Sequence, residues 1–116
     1  SLSTVKVLIV EDNPKMMRML TEFVGRKFTE IYECTDGEQA FSAYAEHHPD
    51  WVLMDWQMPN KDGIAATREI IAGFPTAKIC LVTSYDDAFL KSEALEAGAK
   101  GFVLKRNLTE LELILV

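Results

Sequence analysis

Short apolar runs alternate with amphipathic segments along the whole chain. Four of the runs are continuously apolar rather than alternating, and a weaker fifth run lies between the first two. The four continuous runs are Val7–Val10, Trp51–Met54, Ile79–Val82 and Gly101–Leu104, and the weaker one is Glu30–Cys34. Continuous runs of this length are typical of strands that helices cover on both faces. The pattern therefore predicts five parallel strands.

Each predicted strand is followed by a segment with helical spacing. Asn13 is a good N-cap, and Pro14 suits the first helical position because its missing N–H would be unpaired there. The segment Asp36–Gln39 has the form of a capping box and opens a second helix. The helices are expected at about residues 14–26, 36–47, 63–73 and 86–98, and from Asn107 onward. Strands and helices that alternate through short turns indicate right-handed crossovers and a three-layer α/β sandwich.

Length and composition narrow the class of protein. The 116 residues fit one domain, and the uncapped apolar end at Val116 suggests that the segment 1–116 was cut from a longer protein. The formal charge of −6 argues against nucleic-acid binding by this segment. No apolar stretch approaches the length of a membrane span. Cys34 and Cys80 lack CxxC spacing, so we expect reduced core thiols in a cytoplasmic protein.

Charged or hydroxyl-bearing residues follow four of the predicted strands at the point where each strand ends. They are Glu11 and Asp12 after the first strand, Asp55 after the third, Thr83 after the fourth and Lys105 after the fifth. The carboxyl ends of parallel strands meet at one edge of a sheet, where open α/β sheets place their ligand sites. We therefore expect three carboxylates, a hydroxyl and an ammonium group to converge there.

The residue types at this edge suit metal-assisted phosphoryl transfer. Three neighbouring carboxylates repel one another unless a cation joins them, and Mg²⁺ prefers such oxygen ligands. Asp12 and Asp55 are candidate direct ligands, and the longer Glu11 could act through water. A carboxylate is also a nucleophile toward phosphorus. Lys105 would neutralise the charge of an incoming phosphoryl group, and Thr83 could donate a hydrogen bond to it.

Several motifs together resemble the response regulator receiver domain. They are Val7–Asn13, Met54–Gly63, Val82–Ser84 and Phe102–Lys105, with weaker matches at Thr35–Gly37 and Ala97–Phe102. The resemblance covers essentially the whole chain, and the combination of motifs is highly specific.

This resemblance implies a flavodoxin-like (CheY-like) fold with a five-stranded parallel sheet in the order 2-1-3-4-5. It implies a switch that takes a phosphoryl group from a sensor histidine kinase or a phosphotransfer protein, with Mg²⁺ or Mn²⁺ as cofactor. Such a domain is a phosphoacceptor rather than an enzyme, and at most catalyses its own phosphorylation and slow dephosphorylation. The implied roles are Asp55 as phosphoacceptor, Glu11 and Asp12 as the acidic metal pair, the backbone carbonyl of Gln57 as a further metal ligand, and Thr83 and Lys105 as phosphoryl contacts.

Three positions bear on how this switch would work. Phe102 stands where many receivers have an aromatic residue that turns inward when the threonine, here Thr83, moves toward the phosphate. It lacks the hydroxyl of the frequent tyrosine, so only packing could carry that signal. Arg106 follows Lys105 where the family often has a proline after a cis peptide bond. Tyr85 is bulky, and we hypothesise that it screens the phosphoryl group from water and slows its loss.

Other functions stay open at this point. A flavodoxin-like flavin carrier shares the sheet order but needs a Ser/Thr/Gly-rich loop after the first strand, where this chain has Glu11–Pro14. A phosphohydrolase with an aspartyl nucleophile usually needs a second Asp two positions further on, and position 57 is Gln. A receiver-like interaction module without phosphorylation is a third alternative. Homodimerisation through the fourth and fifth helices and the strand between them is also possible.

Overall fold

A computed structural model describes residues 5–116 of the chain. It contains one five-stranded sheet in the order β2-β1-β3-β4-β5, and every pair of neighbouring strands is parallel. The strands are β1 (Lys6–Val10), β2 (Glu30–Cys34), β3 (Trp51–Met54), β4 (Ile79–Thr83) and β5 (Gly101–Leu104). The predicted fold class and the sheet order 2-1-3-4-5 are confirmed.

Five α-helices connect or follow the strands. They are α1 (Pro14–Val24), α2 (Ala40–His47), α3 (Gly63–Gly73), α4 (Ala88–Glu96) and α5 (Leu111–Ile114). Two short 3₁₀ helices, Gly37–Gln39 and Lys105–Glu110, lie before α2 and α5. Among residues 5–116, no helix has the length and the apolar character that crossing a membrane requires.

The starts of two helices follow the predicted capping chemistry. Asn13 Oδ1 accepts a hydrogen bond of 2.9 Å from Met16 N, and Pro14 occupies the first turn of α1. Asp87 caps α4 in the same way by accepting from Leu90 N at 3.0 Å, so this helix begins just after the acidic pair. Each cap satisfies an amide that has no partner within its helix.

The second helix differs from the expected capping box. Asp36 accepts from Glu38 N at 2.9 Å, but the Gln39 side chain accepts weakly from Thr35 N at 3.4 Å instead of returning to the Asp36 amide. The first turn is therefore a 3₁₀ turn, and the α-helix begins only at Ala40. The reciprocal pattern needs Gln39 to reach back three residues, and its side chain reaches back four.

The predicted start of the fifth helix, at Asn107, is wrong. Residues 105–110 form a 3₁₀ segment that Asn107 interrupts with φ −126° and ψ 45°, and α5 spans only four residues. Asn is a weak helix former because its side chain competes for backbone hydrogen bonds. Leu111 and Leu115 are nonetheless buried, and both lie in the core beneath α1. Packing therefore places this segment where local helix propensity is poor.

The continuous apolar runs are explained by a core on each face of the sheet. In β1, Leu8 and Val10 face the side of α2, α3 and α4, whereas Val7 and Ile9 face the side of α1 and α5. Successive strand residues point to opposite faces, so a strand covered on both sides must be apolar throughout. The predicted core thiols are both buried and unpaired in disulfides.

Candidate functional site

The parallel register brings the ends of the strands to one edge of the sheet. Val10 pairs with Met54 across β1 and β3, and the amide of Asp55 then donates to the carbonyl of Val10 at 2.9 Å. The amide of Glu11 donates to the carbonyl of Cys34 at the end of β2 at the same distance. The residues that follow β1 and β3 are therefore fixed by backbone hydrogen bonds at the same height of the sheet.

Three carboxylates meet at this edge, as the sequence predicted. One oxygen from each of Glu11, Asp12 and Asp55 lies within 4.8 Å of the others. Glu11 is 1% exposed and Asp55 is 6% exposed, whereas Asp12 is open to solvent. Burying two carboxylates side by side is costly without a cation to compensate them. The cluster therefore needs a positive partner.

Lys105 supplies part of that compensation. Its Nζ lies 2.9 Å from Glu11 Oε1 and 3.1 Å from Asp55 Oδ1. Burial lowers the pKa of the Lys105 ammonium, but its contacts with Glu11 and Asp55 outweigh this and raise the pKa overall. The lysine is therefore held in its charged form between the two carboxylates.

One lysine does not satisfy the whole cluster. Burial raises the pKa of Asp55 to about 7, with repulsion from Glu11 adding to this and Lys105 opposing it. Glu11 Oε2 accepts from Asn13 N at 3.1 Å, and the buried Oε1 has the Lys105 ammonium at 2.9 Å as its one polar partner among the described residues. Three carboxylates that share a single lysine offer the set of oxygen ligands that a small divalent cation prefers. The residues present fit Mg²⁺ or Mn²⁺.

Thr83 ends β4 with its side chain 1% exposed. Its Oγ1 accepts a hydrogen bond of 3.2 Å from Tyr85 N, and within residues 5–116 the hydroxyl donates to no protein acceptor. The hydroxyl proton is therefore available for a group that binds at this edge.

The loops after β3 and β4 meet over this part of the edge. The hydroxyl of Tyr85 donates to Gln57 Oε1 at 2.8 Å, and the Tyr85 ring lies edge-on to Trp56 with 5.1 Å between ring centroids. The sequence singled out positions 57 and 85 but did not predict their hydrogen bond. A pairing between loops 28 residues apart leaves no periodic signal along the chain.

Phe102 and Arg106 lie beside the site rather than in it. Phe102 is half-buried against the core on the α4 side and lines a cavity of about 340 Å³ with Lys91 and Leu104. Arg106 contacts Asp86 at 3.2 Å, which joins the end of β5 to the loop before α4. No peptide bond among residues 5–116 is cis, including the one before Arg106.

The family described as the response regulator receiver domain matches residues 7–115. The chain belongs to that family. Receiver domains are generally phosphoacceptor switches rather than true enzymes, and they bind Mg²⁺ at an acidic pocket such as the one formed by Glu11, Asp12 and Asp55. They interact with histidine kinases or phosphotransfer proteins.

Individual relatives agree with this membership of the receiver family. The chemotaxis protein CheY of Thermotoga maritima is 39% identical over 101 residues, which covers 86% of this chain and 84% of that protein. The regulatory protein AtoC of Escherichia coli is 36% identical over 110 residues, but the chain spans only 24% of its length. What the rest of AtoC does is therefore no guide to this segment.

Solved structures show the same fold. A chain of the CheX–CheY–BeF₃–Mg²⁺ complex of Borrelia burgdorferi superposes with a TM-score of 0.87 at 28% identity, covering 97% of this chain and 90% of that one. The BeF₃-activated receiver domain of Klebsiella pneumoniae RstA gives a TM-score of 0.83 at 30% identity, covering 93% and 96%. The flavin-carrier alternative, which shares only the sheet order, finds no support among these relatives.

Proposed function

We propose that this receiver domain is a phosphorylation-activated switch in which Asp55 accepts the phosphoryl group in a Mg²⁺-dependent reaction. The observation that carries the proposal is the position of the Lys105 ammonium, 3.1 Å from the Asp55 carboxylate and 2.9 Å from Glu11. A buried nucleophile with a fixed cation beside it and further carboxylates nearby matches the requirements of phosphoryl transfer. The family membership supports the same reading.

The residues would divide the work as follows. Glu11, Asp12 and Asp55 would hold the metal ion through side-chain oxygens, and Gln57 through its backbone carbonyl. The bound ion would neutralise negative charge on the transferring group. Mn²⁺ has the same preference for oxygen and could replace Mg²⁺.

The covalent step uses the buried carboxylate. An oxygen of Asp55 forms a bond to phosphorus while the bond from phosphorus to the histidine nitrogen of the donor breaks, and the imidazole leaves with the electron pair. Lys105 stays beside the phosphoryl oxygens and offsets their charge, and the free hydroxyl proton of Thr83 is donated to one of them. The donor is a sensor histidine kinase or a phosphotransfer protein.

The signal would leave the site through Thr83 and Phe102. Drawing the Thr83 hydroxyl toward the phosphoryl group would open space next to β4, and Phe102 borders a cavity into which its ring could turn. Because phenylalanine has no hydroxyl, a partner would read this change through packing alone. The switch would shift a two-state equilibrium of the face formed by α4, β5 and α5.

That face is also where we expect a homodimer. Phe89 on α4 is 73% exposed, and Leu113 on α5 is also strongly exposed. Exposed apolar side chains on neighbouring elements favour association. A mass that stays monomeric at every concentration, with the beryllofluoride complex as well as the free protein, would contradict the dimer and leave the phosphoacceptor proposal intact.

The phosphoacceptor proposal is tested by incubation with acetyl phosphate and Mg²⁺ followed by intact-mass measurement. We expect the wild-type protein to gain the mass of one phosphoryl group and Asp55→Asn to gain none. Asp62→Asn, which removes a neighbouring acidic residue outside the cluster, is the control and should be modified normally. An unmodified wild-type protein would instead favour an interaction module that does not use phosphorylation.

The expected location of this protein in the cytoplasm stays a prediction.

A further inference from the structure

The loop after β3, residues 55–62, is fixed at its far end by a hydrogen bond to another loop. Asn60 has φ 66°, in the left-handed region, and its amide Nδ2 donates to Asp36 Oδ2. Asp36 belongs to the turn between β2 and α2, 24 residues away in the chain. The proposed metal ligand Gln57 lies in the same loop, three residues before Asn60. The loop that carries the proposed metal ligand is therefore hydrogen-bonded to the turn between β2 and α2.

Asp36 uses both of its carboxylate oxygens. Oδ1 accepts from Glu38 N at 2.9 Å and shapes its own turn, and Oδ2 faces Asn60. Because the contact of Oδ1 fixes the carboxylate, Oδ2 is well placed to accept the hydrogen bond from Asn60. The direction of the second bond is defined, because the Asn60 amide is the donor and the carboxylate can only accept.

The backbones of the two loops also touch. A Cβ atom added to Gly37 would lie 2.0 Å from the carbonyl oxygen of Lys61, so only glycine allows this approach. On its other side, Lys61 Nζ contacts both carboxylate oxygens of Glu69 at 3.0 Å, which ties the loop to α3. The end of the loop is thus held between α3 and the turn before α2.

We propose that Asp36 and Asn60 are positioning residues for the metal site, since their hydrogen bond holds the loop after β3, which carries the proposed ligand Gln57. The inference rests on the proposed function. A loop that is ordered before the metal arrives loses little conformational freedom on binding, whereas a free loop must be ordered at that moment and binds more weakly. Neither residue would touch the ion or the phosphoryl group.

Reversing the hydrogen bond gives a test that conserves charge. Asp36→Asn replaces the acceptor by an amide that faces the Asn60 amide, while keeping an oxygen for Glu38 N. Asn60→Asp places two carboxylates together and tolerates the left-handed backbone, as Asp often does. The double variant Asp36→Asn/Asn60→Asp restores one donor and one acceptor with the wild-type net charge. Mg²⁺ affinity is measured by calorimetric titration, with the change in tryptophan emission beside Asp55 as a second readout.

Charge and positioning predict different results for Asn60→Asp. If only charge mattered, this variant would bind Mg²⁺ more tightly and Asp36→Asn more weakly, because one adds a negative charge and the other removes one. Positioning predicts that both single variants bind about 3- to 10-fold more weakly and that the double variant returns to within about 2-fold of wild type, since the two sites act as a pair. Thermal unfolding confirms that each variant is folded at the titration temperature.

The control is Glu38→Gln, which removes a charge from the same turn without touching the hydrogen bond and should change the affinity by less than about 2-fold. Tighter binding by Asn60→Asp, or a double variant as weak as the product of the singles, would overturn the positioning role. A wild-type protein that binds no Mg²⁺ would overturn the proposed function and this inference with it. Wild-type binding with unaffected variants would overturn this inference alone.

Discussion

The Tyr85 hydroxyl donates a hydrogen bond to Gln57 Oε1 and so connects the loop after β4 with the loop after β3. The two side chains stand two residues beyond Thr83 and two beyond Asp55. Trp56 packs against the Tyr85 ring, with an angle of 88° between the two ring planes. A partly exposed aromatic ring is therefore held next to the residue proposed to carry the phosphoryl group.

This contact predicts the lifetime of the phosphorylated protein. If the Tyr85 ring limits the approach of water, Tyr85→Ala should lose its phosphoryl group about 3- to 10-fold faster, which corresponds to roughly 1 kcal/mol of barrier. Tyr85→Phe keeps the ring and should remain closer to wild type. Decay is followed by intact mass after the phosphodonor is removed. An unchanged decay rate in Tyr85→Ala would contradict the screening role.

Removing the charge of Asp55 should stabilise the metal-free protein above neutral pH. Burial and the neighbouring Glu11 raise the pKa of Asp55 to about 7, whereas the pKa of an aspartate in the unfolded chain is about 4. Between these values the folded protein keeps a proton that the unfolded chain has released. Stability therefore falls as the pH rises toward 7, and it stays low above that.

Asp55→Asn abolishes this loss because its amide does not ionise. We expect the free energy of unfolding to rise by about 1–3 kcal/mol at pH 8 and by much less at pH 5, where Asp55 is already protonated in the folded state. Urea unfolding with a chelator present measures both values. Asp12→Asn, at an exposed position of the same cluster, is the matched control. A gain that is equal at the two pH values would contradict the assigned cause.

Replacing Lys105 should change metal binding and phosphorylation in opposite directions. Lys105→Met removes the cation that shares Glu11 and Asp55 with the metal ion, so Mg²⁺ should bind more tightly. Phosphorylation by acetyl phosphate should fall about 100-fold or more, since the charge beside the acceptor is lost. Calorimetric titration and intact mass follow the two effects.

The same substitution should destabilise the metal-free protein. It leaves two buried carboxylates uncompensated, at a cost of about 3 kcal/mol. Lys105→Arg keeps the charge and serves as the control for stability. Weaker Mg²⁺ binding by Lys105→Met would show that the lysine does not compete with the ion for these carboxylates.

Gly63 is required by the close packing of the helix start against the acceptor strand. A Cβ atom there would lie 1.9 Å from the carbonyl oxygen of Asp55 and 2.9 Å from Met54 Cγ. Gly63→Ala must therefore move backbone, and we expect a loss of at least about 3 kcal/mol in urea unfolding. Gly25→Ala, at a helix end with φ −62°, should cost far less. Equal losses for the two variants would contradict the packing argument.

Most of the fold could be predicted because its signals are local and strong. A strand such as Val7–Val10, covered on both faces, must be apolar at every position, and a parallel sheet then fixes where its carboxyl end lies. This is why Glu11, Asp55 and Lys105 could be brought together from their positions alone. The prediction of where the fifth helix starts was wrong because Asn107, taken alone, has the sequence pattern of an N-cap. The burial of Leu111 decides the local structure instead.

The loop contacts could not be predicted for a different reason. The hydrogen bond from Asn60 to Asp36 and the approach of Gly37 to Lys61 join loops that are distant in the chain and have no periodic pattern. Both Asp36 and Asn60 also have an ordinary local interpretation as turn residues. Only the packing of the two loops against each other reveals that these two residues are in contact.

The most direct test of the central claim is to locate the phosphoryl group in the chain. After reaction with acetyl phosphate and Mg²⁺, treatment with borohydride reduces an aspartyl phosphate to homoserine, which peptide mass spectrometry can place at a single position. The account predicts conversion at position 55 in the wild-type protein, and none when the ion is removed by a chelator. Conversion at another residue, or undiminished modification of Asp55→Asn, would contradict it.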